Sequence, residues 1–197
     1  MNITAQMVKE LRDKTGAGMM DAKKALVEVD GDMEKATEFL RQKGMASAEK
    51  KMGRIAAEGR VDSFVDANGG AMVEVNCETD FVAKNDEFKT LVANMAKHVE
   101  DLKPADVDAL LATTCPSCDK LIGEALKEKI ASIGEKITVR RFVRYEGPVA
   151  TYIHNGKIGV LLSTDKEDKD LMNDICLHIA SSAPKFVSRA EIPQSEI

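Results

Sequence analysis

The residues with the clearest capacity for specific binding lie at positions 76–82, Asn-Cys-Glu-Thr-Asp-Phe-Val. A strand-like run at 71–75 precedes them, and a helix-like run begins at Asn85. A carboxylate, Asp80, and a large aromatic, Phe81, therefore stand side by side where a strand turns into a helix. An aromatic at such a corner either packs into the core or projects towards a partner, where its rigid ring buries a large apolar area.

A second candidate for chemistry is the CxxC pair of Cys115 and Cys118. CxxC pairs occur in redox sites and as half of a zinc site. A redox pair starts a helix after a strand, whereas here a helical stretch at 105–111 precedes the pair and another helix is predicted to begin at it. A zinc site needs a second CxxC or a close pair of histidines, and the sequence has neither nearby. The pattern favours an incidental surface pair, with a metal site or a reversible disulfide as the alternatives.

Residues for a self-contained hydrolase are missing from the sequence. No Ser/His/Asp set and no glycine-rich phosphate loop occurs in a supporting context. Gly16-Ala17-Gly18 follows a predicted helix, whereas a phosphate loop would begin one. We therefore predict no catalytic residues, no cofactor and no metal.

Composition limits the class of protein further. The 197 residues fit one or two domains, with 44% hydrophobic and 31% charged residues. The net charge of −5 argues against a nucleic-acid partner, which needs a basic surface. No window approaches the roughly 18 apolar residues of a membrane span, and no secretory signal is visible. We expect a cytoplasmic protein that does not bind membranes.

The first 44 residues predict three short helices. Thr4 caps the first, which ends near Gly16; the second covers 20–29; Asp32 caps the third, which ends at Gly44. This three-helix domain, 1–44, resembles a ubiquitin-associated module in shape, which carries no function by itself. Residues 45–58 read as a helical connector.

The remainder predicts an α+β core built from antiparallel sheets. Residues 60–66 and 71–77 alternate like strands around Asn68-Gly69, a hairpin signal. A helix at 85–99, a longer one at 119–133 and a strand at 137–145 follow. Together they form a first core subdomain, 59–146.

The pattern then recurs, which predicts an internal duplication. Residues 147–153 match 59–65, and the second copy, 147–197, also repeats the turn, at Asn155-Gly156, and the helix. It lacks the corner, because 163–167 read Ser-Thr-Asp-Lys-Glu, so the corner is an addition to the scaffold that favours function over packing. The second copy also lacks a closing strand, so we expect a fragment or a lobe that a partner completes.

Three motifs resemble one family. They are Thr-Gly-Ala-Gly-Met-Met-Asp at 15–21, Glu-Val-Asn-Cys-Glu-Thr-Asp-Phe-Val-Ala at 74–83, and Ile-Gly-Glu-Lys-Ile at 133–137 followed by Arg140-Arg141. In order and spacing the chain resembles the bacterial elongation factor Ts family, apparently without its C-terminal part. The resemblance implies an N-terminal helical domain, a core of two related α+β subdomains, and homodimerisation in longer members through a helical hairpin that would begin near 191–193.

The resemblance also implies a guanine-nucleotide exchange factor for elongation factor Tu, which binds no nucleotide itself and performs no covalent chemistry. The implied residues that intrude near the Mg²⁺ of the partner are Thr79, Asp80, Phe81 and Val82. The implied second contact, in the N-terminal domain, comprises Met19, Met20 and Lys23. The alternative for the two methionines is core packing, which is expected for one of them. The alternative for Lys23 is a solvated helix face.

Two rival functions stay open at this point. One is a protein-interaction module with a ubiquitin-associated-like domain and no exchange activity. The other is a metal or redox protein that works through Cys115 and Cys118.

Overall fold

The structure is a computed structural model, and it describes residues 3–116 and 118–196. The chain divides into two compact units. Unit 1 comprises Met1–Gly59, Val75–Phe88 and Pro104–Arg140, and unit 2 comprises Arg60–Glu74, Lys89–Lys103 and Arg141–Ile197. The α+β class is confirmed. The ubiquitin-associated likeness, the duplication and the predicted domain boundaries stay predictions.

Unit 1 begins with three helices, α1 (Ala5–Thr15), α2 (Met19–Glu28) and α3 (Met33–Lys51). The predicted caps are present: the Thr4 hydroxyl accepts the Met7 N–H, and the Asp32 carboxylate accepts two N–H groups of the first turn of α3. The apolar faces of the three helices form one buried cluster: Val8, Leu11, Ala22, Ala25, Leu26, Ala36 and Leu40.

The prediction that Gly44 ends the third helix is wrong. Helix α3 continues without a break through Gly44 to Lys51. A Cβ at Gly44 would lie 3.0 Å from the Cβ of Ala131. The glycine therefore permits a close approach of two helices rather than a helix end, and local sequence does not distinguish these uses.

Nine further strands and helices follow α3 in the described part of the chain, before a last helix. They are β1 (Glu58–Val65), β2 (Gly69–Cys77), α4 (Asp80–Lys84), α5 (Asp86–Leu102), α6 (Val107–Ala112), α7 (Ile122–Ile133), β3 (Thr138–Glu146), β4 (Val149–His154) and β5 (Ile158–Ser163). Helix α8 (Lys169–Ser182) follows, with two short 3-10 turns at Arg189–Glu191 and Gln194–Glu196. Strands β1, β2 and β3 form one sheet with β2 in the centre, so the predicted hairpin is confirmed.

Unit 2 contains a second, antiparallel sheet of β4 and β5, registered from Val149 opposite Ser163 to His154 opposite Ile158. The predicted Asn155-Gly156 turn joins them, with φ of 53° and 70° at the two residues. Helix α8 packs against this hairpin. Within the described residues no helix is long and apolar enough to cross a membrane.

Candidate protein-binding corner

The corner predicted at 76–82 contains a helix that the sequence did not reveal. Strand β2 ends at Cys77, and Thr79 caps the five-residue helix α4 by accepting the Val82 N–H at its hydroxyl oxygen, 3.3 Å away. Helix α4 stops at Asn85, whose extended ψ of 138° separates it from α5. Cys77 and Ala83, which flank the corner in unit 1, are both buried.

Phe81 projects from this corner into solvent. Its side chain is 82% exposed, although a large aromatic ordinarily buries most of its surface. The alternative that Phe81 belongs to the core is therefore wrong. The core aromatic nearby is Phe88, on α5, which is fully buried. A rigid apolar ring that projects from a corner flanked by buried residues is suited to insertion into a partner.

Asp80 adds a negative charge beside this ring. The Lys84 ammonium donates to the Asp80 carboxylate at 2.7 Å, one helical turn away. This hydrogen bond holds the pKa of Asp80 below its ordinary value. The carboxylate is charged at neutral pH and lies in the first turn of α4, where the helix dipole favours a negative charge.

Two carboxylates that the sequence analysis did not single out support the corner. Glu135 accepts the N–H groups of Glu78 and Thr79 and the Thr79 hydroxyl at 3.1, 3.0 and 2.6 Å. Glu78 in turn accepts the Lys136 N–H at 2.6 Å and the Arg54 guanidinium at 3.2 Å. The Lys136 N–H, followed by Arg54, lowers the pKa of Glu78. Residues 133–137 were a motif of the resemblance, but no spacing rule linked Glu135 to a corner so far away in sequence.

The second predicted contact lies on α2. Met19 is 50% exposed and Met20 is 64% exposed, so the expectation that one of them packs in the core is wrong. Lys23 is also exposed, one turn beyond Met19. Val27, which the sequence analysis did not select, continues the same face and is 55% exposed. Flexible thioethers on an exposed face suit an adaptable protein contact.

The CxxC pair does not begin a helix, contrary to the prediction. Cys115 and Cys118 lie in the turn between α6 and α7, where the Cys115 N–H donates to the Lys120 carbonyl at 2.7 Å. Burial, followed by a hydrogen bond with the Cys115 thiol, raises the pKa of Cys118, which disfavours the reactive thiolate. Among the described residues the four cysteines form no disulfide, and no group of three or more His, Cys, Asp or Glu residues is arranged to hold a metal ion.

Comparison with known proteins identifies relatives of this chain. A family model described as elongation factor TS matches residues 78–197. The elongation factor Ts of Halorhodospira halophila is 45% identical over 201 residues, which covers 100% of this chain and 68% of that protein. That of Alkalilimnicola ehrlichii is 46% identical over 202 residues, with the same coverage.

These matches place the chain among the translation elongation factors. It belongs to the elongation factor Ts family.

Proposed function

We propose that the chain is a guanine-nucleotide exchange factor that acts on elongation factor Tu in the cytoplasm. In this proposal it promotes GDP release by disturbing the Mg²⁺ and phosphate end of the partner's nucleotide site. The observation that carries the proposal is the 82% exposure of Phe81 on a corner whose ends are buried. Family membership supplies the partner.

The physical basis is the fragility of a Mg²⁺ site. Mg²⁺ demands near-octahedral geometry and bridges phosphate oxygens in GTPases, so small shifts of its ligands weaken nucleotide binding. Insertion of the Phe81 ring would displace the partner's backbone, and Thr79 and Val82 would line the inserted segment. The Asp80 carboxylate would meet N–H groups or cations that otherwise face the nucleotide.

The exchange factor needs no covalent chemistry. It must bind nucleotide-free elongation factor Tu more tightly than the nucleotide-bound form, and linkage makes this coupling reciprocal. The chain itself would bind no nucleotide, and its net charge of −5 argues against a nucleic-acid partner.

The exposed face of α2 is the proposed second contact. Met19 and Met20 would pack on a helix of the partner's GTPase domain, and Lys23 would approach acidic groups there. This contact would supply affinity, whereas the corner would supply the distortion, because only the corner carries a rigid ring.

The test is the rate of fluorescent GDP release from elongation factor Tu, measured by stopped flow at saturating chain. We expect a large acceleration in the presence of Mg²⁺ and a smaller one after chelation, because chelation removes the ion that the factor is proposed to disturb. Unchanged release in Mg²⁺ would refute the exchange function and favour the plain interaction module.

A further inference from the structure

We infer that Glu135 is a positioning residue that fixes the direction in which Phe81 projects. The inference rests on the exchange function proposed above and deepens it. The carboxylate of Glu135 makes three hydrogen bonds to the corner, and all of them go to Glu78 and Thr79, the two residues between β2 and α4.

The bond to the Thr79 hydroxyl has a consequence for the helix cap. A hydroxyl has one proton to donate, and Thr79 donates it to Oε1 of Glu135 at 2.6 Å. The lone pairs of the same oxygen are thereby directed away from Glu135, and one of them accepts the Val82 N–H at 3.3 Å. Glu135 therefore selects the rotamer in which Thr79 caps α4.

A hydrogen bond in the opposite direction joins the two segments, 78–79 and 135–136. Glu78 accepts the N–H of Lys136, the neighbour of Glu135, at 2.6 Å. Each segment thus supplies a carboxylate to backbone N–H groups of the other, so neither can rotate alone. Charge-assisted hydrogen bonds of this kind are about twice as strong as neutral ones.

Glu135 is itself anchored by the end of α7. Gly134 ends that helix in the left-handed conformation, with φ of 88°, and Ile130 and Ile137 on either side are buried. The direction of the carboxylate is therefore set by the core of unit 1.

Cys77 and Ala83 are buried at either side of the corner, and the bonds to Glu135 are what fix the direction of the segment between them. A five-residue helix is unstable alone, and Phe81 contributes almost no packing to hold it. Removal of the Glu135 carboxylate would leave the core intact while the ring sampled several directions. The apparent exchange activity would fall with the fraction of chains in the competent direction.

The test compares Glu135→Ala with Glu135→Gln and with Glu128→Ala as a control. Glu128 is another carboxylate of unit 1; it is ion-paired with Lys120 at 2.7 Å and has no bond to the corner among those described. We expect Glu135→Ala to slow stimulated GDP release at least about tenfold, with Glu135→Gln intermediate because its amide still accepts and donates. Glu128→Ala is expected to match the unmodified chain.

A double-mutant cycle with Phe81→Ala separates positioning from a general structural role. If Glu135 acts through Phe81, Glu135→Ala has almost no further effect on release in the Phe81→Ala background. Independent, multiplying effects would overturn the inference, as would a Glu135→Ala variant as active as the unmodified chain.

Amide hydrogen exchange at Thr79 and Val82 reads the corner without the partner. Faster exchange in Glu135→Ala supports the positioning role, and unchanged exchange overturns it. Failure of the exchange function is recognised separately, because then the unmodified chain itself leaves GDP release unchanged.

Discussion

Replacement of Phe81 by alanine tests whether an exposed ring performs the function. About a fifth of the surface of Phe81 is covered, since 82% is exposed. For a side chain of roughly 200 Å² that is about 40 Å², so the truncation should cost about 1 kcal/mol of folding free energy. For a protein of this size the melting temperature should fall by about 2–4 °C.

The effect on exchange should be far larger. Insertion of the exposed part of the ring into a partner would bury about 160 Å², equivalent to about 4 kcal/mol or nearly a thousandfold in an equilibrium constant. Part of this is spent on distortion of the partner, so we expect stimulated GDP release to slow by a factor between about ten and a thousand.

The chain offers a matched control, Phe88→Ala. Phe88 is fully buried, so its truncation should cost about 3–5 kcal/mol and lower the melting temperature by about 6–20 °C. The assays are calorimetry and stopped-flow GDP release on both variants. If Phe81→Ala melts as early as Phe88→Ala, or stimulates GDP release as strongly as the unmodified chain, the exposed ring does not perform the function proposed for it.

Three further predictions follow from contacts outside the ring. The pKa of Glu78 is lower in the folded state than in the unfolded state. The stabilisation from its hydrogen bonds is therefore complete above the pKa of the unfolded state and is lost as the pH falls through the pKa of the folded state. Glu78→Gln should thus flatten the decrease in melting temperature below about pH 4. Arg144 donates at 2.9 Å to Glu100, which is 2% exposed. Arg144→Met should therefore cost about 3 kcal/mol in urea unfolding by leaving that charge unpaired, and adding Glu100→Met should restore most of the loss. Replacement of both Cys115 and Cys118 by serine should leave stimulated GDP release unchanged. Loss of that activity would support the redox alternative. Stoichiometric metal that mass analysis finds in the unmodified chain but not in the variant would support the metal alternative.

Much of the fold was predictable because its signals are local. Thr4 and Asp32 cap helices as predicted, and Asn155-Gly156 forms its turn. These features depend on residues within a few positions of each other, so sequence patterns report them well. Gly44 is the instructive exception, because its use depends on contact with Ala131 on a distant helix.

The candidate site was predictable only in part, for the same reason. The contrast between Asp80-Phe81 and the predicted second copy favoured function over packing for this corner, and the exposure of Phe81 agrees with it. The hydrogen bonds that Glu135 accepts from Glu78 and Thr79 join residues more than fifty positions apart, and no periodicity reports such contacts. Exposure of both Met19 and Met20 was also missed, since apolar residues on a short helix ordinarily predict a core face.

The proposed exchange factor must bind nucleotide-free elongation factor Tu more tightly than the GDP-bound form. The two dissociation constants can be determined by titration calorimetry in the same Mg²⁺ buffer. We expect much tighter binding to the nucleotide-free form, by the same factor by which the chain weakens GDP binding. Equal affinity for the two forms would rule out the exchange function, because a ligand without differential affinity shifts no equilibrium.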